Sequence, residues 1–271
     1  MRILADEAPG THSTVNFCSS SLCNINYQSL ISSGIAIVVT LLVFVFVVRG
    51  LRSDRPTKLQ LIFELVLSYI RTLTRDTVDE ESITLVAPLA ATIAFYIFIA
   101  NWLDFFPLKS PIEPANSDIN QTAAMAIVVF LVVEWYAGKV SGWRGFFRRF
   151  TKPYDMATPV RIVFVPLNII EELVKPVTLS LRLFGNIFAG VVMVFLLGQL
   201  FNAGSAFISP VVAAPVGLIG LILWKAFDVF FVGTIQAFIF MLLTVIYFGQ
   251  AREGLHGLEE EHHGAPAHAS A

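Results

Sequence analysis

Arg182 sits deep inside an apolar run and is followed by LFGNIFAGVVMVFLL, too far from polar sequence for its head to snorkel out easily. An arginine in the middle of a membrane helix costs at least about 2.5–3.5 kcal/mol to insert, so it marks a functional site facing water, a partner or both. On a helix advancing about 100° per residue, Glu171, Lys175, Thr178 and Asn186 align with it, and Asn168 joins the stripe. A second apolar run repeats the pattern with Lys225, Asp228, Gln236 and Tyr247, and Lys225 and Gln236, eleven apart, are expected to share a face. Earlier in the chain Asn101 and Asp104 share a turn, and Asp118 and Asn120 follow in a loop. Carboxylates and amides at several depths, interrupted by one fixed positive charge, suit a path for protons or other ions that the charge divides. Two simpler pairings stand beside that reading. Glu171 with Lys175 at i, i+4 can be a plain ion pair, and Lys225 with Asp228 can be another; neither accounts for Arg182.

The elements that position these residues follow from composition. Of 271 residues 56% are apolar and 14% are charged, with a mean hydropathy of +0.73; a soluble domain carries roughly 25% charge. The chain reads as an all-α polytopic membrane protein. Runs of about 20 apolar residues cross the hydrocarbon, and candidates are 30–48, 83–106 and 122–138. Residues 57–75 mix Leu59, Ile62, Phe63, Val66 and Ile70 with Lys58, Glu64, Arg71 and Arg75, a pattern that suits an amphipathic helix lying in the interface. Two longer runs, 163–201 and 207–247, are separated by an expected turn at Asn202-Ala203-Gly204. Each would be roughly 55–60 Å long as a helix, so both must tilt, bend or lie partly along the membrane. Pro176 and Pro215 permit bends. Expected, in order, are an N-terminal span, an interfacial helix, a two-span hairpin and two long tilted helices, with the membrane domain covering 30–250.

Six of the 18 Lys and Arg fall between Arg49 and Arg75 and six between Lys139 and Arg161, the latter read as a loop. By the positive-inside rule these segments are cytoplasmic, which places the N-terminal segment 1–29 outside and the tail 251–271 inside. The tail, with Glu259, Glu260, Glu261 and a His262-His263 pair, reads as a solvated, disordered stretch. No cleavable leader is expected, because the first 29 residues lack a basic stretch followed by an early apolar run. Cys18 and Cys23 are two separate thiols or one local disulfide. The net charge of −2 gives no general attraction to nucleic acid.

The motifs SLRLFGNIFAG (180–190) and IQAFIFMLLTVIY (235–247) resemble subunit a of the rotary, proton-driven ATP synthase. NWLDFFP (101–107), SDIN (117–120) and PLNIIEELVKP (166–176) extend the resemblance in the family's order. The GN after RLF looks bacterial, and EELVKP and WKAFD look actinobacterial. The resemblance implies a non-catalytic stator subunit of the bacterial plasma membrane, set beside a ring of c subunits and held by peripheral-stalk b subunits within the whole complex. Arg182 matches the family's essential arginine, which attracts the ionised ring carboxylate and separates two aqueous half-channels. It further implies that Asn101, Asp104, Asp118, Asp228 and Gln236 belong to the outer half-channel. Glu171 and Glu172 serve the inner one, Asn186 lies near the arginine, and Asn120 and Lys175 are placed with the proton path. This sequence departs from the family where many bacterial members carry Glu after the AG: here Val191 and Val192 follow. A histidine found in some members on the last helix is also absent, and Asp228, close to that slot, is expected to take the relay role.

A self-contained ion channel or secondary transporter is the alternative reading. It calls for inverted repeats around a midplane site, and the sequence shows no internal repeat. The sequence also contains no phosphate-binding glycine loop, metal-ligand cluster or nucleophile triad, so no cofactor is expected.

Overall fold

The computed structural model describes residues 14–16, 24–52, 56–106, 116, 118–151, 158–204 and 210–263. A run rich in Val, Leu, Ile and Phe makes α1, Tyr27–Arg49, which exposes Leu30, Ile37, Leu41 and Phe46 and buries Gln28, Ser32 and Thr40, as suits a helix whose apolar side chains face lipid. It is preceded by a short antiparallel pair, β1 (Thr14–Asn16) and β2 (Asn24–Asn26). The amphipathic α2, Lys58–Thr77, buries Ile70 and Thr74 while Leu59, Ile62 and Leu65 stay exposed. The turn before it is clamped by Gln60, whose Oε1 accepts from the Arg52 N–H and whose Nε2 donates to the Arg52 carbonyl, both at 3.2 Å. There follow α3 (Glu80–Leu103), α4 (Ile119–Thr151), α5 (Thr158–Gly204), α6 (Pro210–Ala226) and α7 (Gly233–His263).

Among the described residues five helices are long and apolar enough to cross a membrane: Gln28–Arg49, Glu80–Leu103, Ile119–Val140, Val165–Phe201 and Ala214–Ala251. They match the expected spans, and the fold is an all-α polytopic membrane architecture. Three local readings differ. The basic stretch after Lys139, expected as a loop, is helical to Thr151, with a break at Gly142 (φ 67°, ψ 158°), a backbone geometry that glycine adopts without a Cβ penalty. The expected turn at Asn202-Ala203-Gly204 is the last turn of α5. The expected disordered tail is helical to His263, and residues beyond it, like Cys18 and Cys23, lie outside the described residues.

Between α6 and α7 the helix does not stop but changes register. Phe227–Val232 is a π-helical segment, closed by the Gly233 N–H bonding to the Asp228 carbonyl. Such i→i+5 turns are rare and often sit at functional sites. Here the segment carries Asp228, and spacings counted at 3.6 residues per turn do not carry across it.

The described residues pack into two compact units. One draws on Met1–Leu61, Thr92–Thr122 and Ser180–Phe240; the other draws on Ile62–Ala91, Ala123–Leu179 and Met241–Ala271. In the first, Ala36 of α1 and Ala100 of α3 are buried together against Tyr96 and Leu103, and Phe44 meets Phe95 edge to face at 5.4 Å. Small side chains let helices approach closely, which matters in lipid, where apolar side chains gain little by leaving the tails for each other. In the second, Tyr136 hydrogen-bonds Ser82 in a buried contact and packs edge to face on Phe248 at 5.3 Å. Gly249 of α7 lies directly on the Thr77 side chain, whose hydroxyl donates to the Leu73 carbonyl at 2.8 Å and is thereby held in place. Gly249→Val should therefore lower the detergent thermal stability of the protein, by about 1–3 kcal/mol for an overpacked contact. Gly34→Ala, where an added Cβ meets nothing within 4 Å, should leave it unchanged or slightly raised.

Candidate functional site

The apolar stretch of α5 buries Leu183 completely, while the neighbouring Arg182 points outward beside exposed Leu181 and Phe188. Among the described residues no ion pair or hydrogen bond engages its guanidinium. One turn further on, the Asn186 Nδ2–H donates to the Gln236 Oε1 of α7 at 2.6 Å. Gln236 is 2% exposed, and its Nε2 has no partner among the described residues.

Asn186 and Gln236 line a cavity together with Asn101, Asp104, Asn116 and Asp228. It has about 20 Å³ of room for water centres, roughly what one or two water molecules need. The amides form a chain: Asn116 Nδ2 donates to Asn101 Oδ1 at 3.3 Å, and Asn101 Nδ2 donates to the Gly233 carbonyl at 3.1 Å. Asn116 Oδ1, like Gln236 Nε2, is buried with no partner among the described residues, so the cavity wall offers water one acceptor and one donor. Lys225 pairs with Asp104 at 2.5 Å, not with Asp228 three residues away; α6 and the C-terminal end of α3 are joined by this charge pair. Asp228 is left with its carboxylate against Gly190, so close that a Cβ at that position would overlap it. Gly190 receives Asp228, Gly233 receives Asn101, and Gly185 faces open space.

A second cavity lies in the other unit and is lined by Glu134 of α4, Glu172 and Lys175 of α5, and Tyr247 of α7. Lys175 Nζ binds Glu172 Oε1 at 2.9 Å and stands 5.8 Å from the Tyr247 ring centre. The i, i+4 pairing expected with Glu171 is replaced by this i, i+3 pair, and Glu171 is exposed. Asp118 and Asn120 do not line either cavity. The Asp118 Oδ1 accepts from the Asn120 N–H at 2.9 Å, an N-terminal cap that satisfies an otherwise orphaned donor of α4, while the Asn120 side chain is exposed.

The ATP synthase A chain family matches residues 30–249 of this chain. The protein belongs to that family. It is 35% identical over 256 residues to the ATP synthase subunit a of Acidothermus cellulolyticus, covering 93% of this chain and 86% of that protein. To the ATP synthase subunit a of Mycobacterium bovis it is 34% identical over 268 residues (94% and 95%), and to that of Bacillus pumilus 34% over 250 residues (88% and 94%). As an ATP synthase A chain the protein is a bacterial, multi-pass, non-catalytic subunit of the synthase, with the proton-channel role of the membrane sector.

Two cavity residues of this A chain escaped sequence reasoning. Asn116 was visible only as one polar residue in a polar loop, and its burial could not be foreseen. Glu134 carried a usable signal, as the one charged residue between Thr122 and Gly138 in an apolar span. The contact of Gly190 with Asp228 generates a prediction for the A chain. Gly190→Ala should force the Asp228 carboxylate aside and slow proton conduction in vesicles by about tenfold, with Val191→Ala, one residue further, close to wild type.

Proposed function

We propose that the A chain couples proton flow to rotation of a c-subunit ring through Arg182, with the Asp228 cavity serving an outer half-channel and the Glu172 cavity an inner one. The observation that carries this reading is Arg182 itself: a guanidinium on the outward face of an apolar helix, ringed by exposed leucine and phenylalanine. Such a charge calls for an anionic partner arriving from outside the subunit. A carboxylate on each ring subunit meets that need. Guanidinium stays protonated at every relevant pH and favours the ionised form of a carboxylate passing it. The ring carboxylate therefore gives up its proton beside Arg182, must take another before re-entering lipid, and cannot pass the positive charge as part of a continuous proton wire. Membrane potential supplies about 2.3 kcal/mol per charge per 100 mV.

In the outer half-channel, Gln236 and Asn186 hold each other one turn from Arg182, and Asn101 and Asn116 line the way with non-ionising amides. Asp228 is the group able to take and release a proton there, since Lys225 is committed to Asp104. Asp118 and Asn120 shape the loop that leads into α4. Glu172 and Lys175 serve the inner half-channel, with Glu171 at its exposed flank. The basic segments 49–75 and 139–161 face the cytoplasm, the N-terminal segment lies outside, and b subunits brace the complex as the peripheral stalk.

In inverted membrane vesicles Arg182→Ala should abolish ATP synthesis while the complex still assembles; unimpaired synthesis would overturn the reading. Asp228→Asn should slow proton uptake by about tenfold and Lys225→Gln much less. Equal small effects would leave Asp228 as a structural residue only.

A further inference from the structure

We infer that Glu134 is a proton-carrying residue of the second cavity, working beside Glu172; the inference rests on the proposed proton path. Glu134 lies within the Ile119–Val140 span, half-buried between the buried residues Val133 and Tyr136 of α4. An ionisable group at such a place is expensive, and a role in moving charge is the usual reason for one. Its side chain lines the same cavity as Glu172, Lys175 and Tyr247, so three helices bring titratable groups to one small space. Lys175 is bound to Glu172 at 2.9 Å. Two carboxylates thus stand in one small space, where a proton held on one can pass to the other directly or through a water.

The step itself is a simple transfer. A hydronium entering the cavity gives its proton to a Glu134 oxygen, an O–H bond forms there, and water remains. In the opposite direction the Glu134 O–H breaks and water or the Glu172 carboxylate takes the proton. No electron changes hands and no other reactant is needed. Sequence resemblance pointed to α5 alone for this half of the path. The structure adds α4.

The test uses the whole synthase in inverted vesicles, comparing Glu134→Gln and Glu134→Asp with wild type. Glu134→Gln keeps the shape and the hydrogen-bonding capacity but cannot ionise. ATP synthesis and ATP-driven proton pumping are expected to fall about tenfold with the complex assembled in normal amounts. Glu134→Asp is expected to recover most of the rate and to shift its pH profile, which a merely structural carboxylate would not do. Rates for Glu134→Gln within twofold of wild type would overturn the assignment. If Glu134→Gln does not assemble, an unchanged pH profile in Glu134→Asp overturns it instead. Arg182→Ala measured alongside separates the two claims. Synthesis that survives Arg182→Ala removes the proton-path reading itself; its loss there, with normal synthesis by Glu134→Gln, removes only the role given to Glu134.

Discussion

Hydrocarbon tolerates an ionised side chain only when something else compensates it, and the polar groups of this chain are placed by that constraint. Two lysines meet it by pairing: Lys225 with Asp104, and Lys175 with Glu172. The amides meet it by bonding to each other and to backbone, as Asn186 does with Gln236 and Asn101 with the Gly233 carbonyl. Arg182 alone among these intramembrane groups faces outward from an apolar helix with no ion-pair partner among the described residues.

The π-helical segment is what lets these demands be met together. Lys225 must reach Asp104 at the end of α3, Asp228 must lie on Gly190 of α5, and Gln236 must reach Asn186 on α5. In an uninterrupted α-helix, positions 225 and 236 are eleven residues and about three full turns apart, so they would look in nearly the same direction. Yet their partners lie on different helices. Closing Phe227–Val232 with i→i+5 bonds rotates the later turns relative to the earlier ones. Lys225 thus reaches Asp104 before the segment and Gln236 reaches Asn186 of α5 after it, while Gly233 at the end of the segment still meets Asn101 of α3, and Asp228 sits within the segment.

Features set by local forces were legible in the sequence. The spans were among them, because lipid demands apolar side chains over a fixed length, a demand written residue by residue in 30–48, 83–106 and the two long runs. Arg182, Asn186, Asp228 and Gln236 were legible as polar exceptions, and the structure brings the last three to one cavity. The features that were not legible depend on register and on partners distant in the chain. Helical spacing allowed a Lys175–Glu171 pair, whereas Lys175 binds Glu172 and stands beside Tyr247 of a distant helix. Spacing likewise allowed a Lys225–Asp228 pair, whereas the partner of Lys225 is 121 residues away. Asp118 was placed with the outer half-channel by resemblance; that its oxygen also caps the first turn of α4 was not legible.

The two cavities obey the same arithmetic with different walls. Each brings together two carboxylates and, directly or through a pair, one lysine: Asp104 and Asp228 with Lys225, and Glu134 and Glu172 with Lys175. In each, the lysine is bound to one of the carboxylates by a short contact. The walls differ because the first cavity is lined with amides, which orient water without ionising, while the second has no Asn or Gln in its lining. Amides orient water without exchanging protons with it, whereas carboxylates and an ammonium do exchange them, so the two walls would treat an entering water differently.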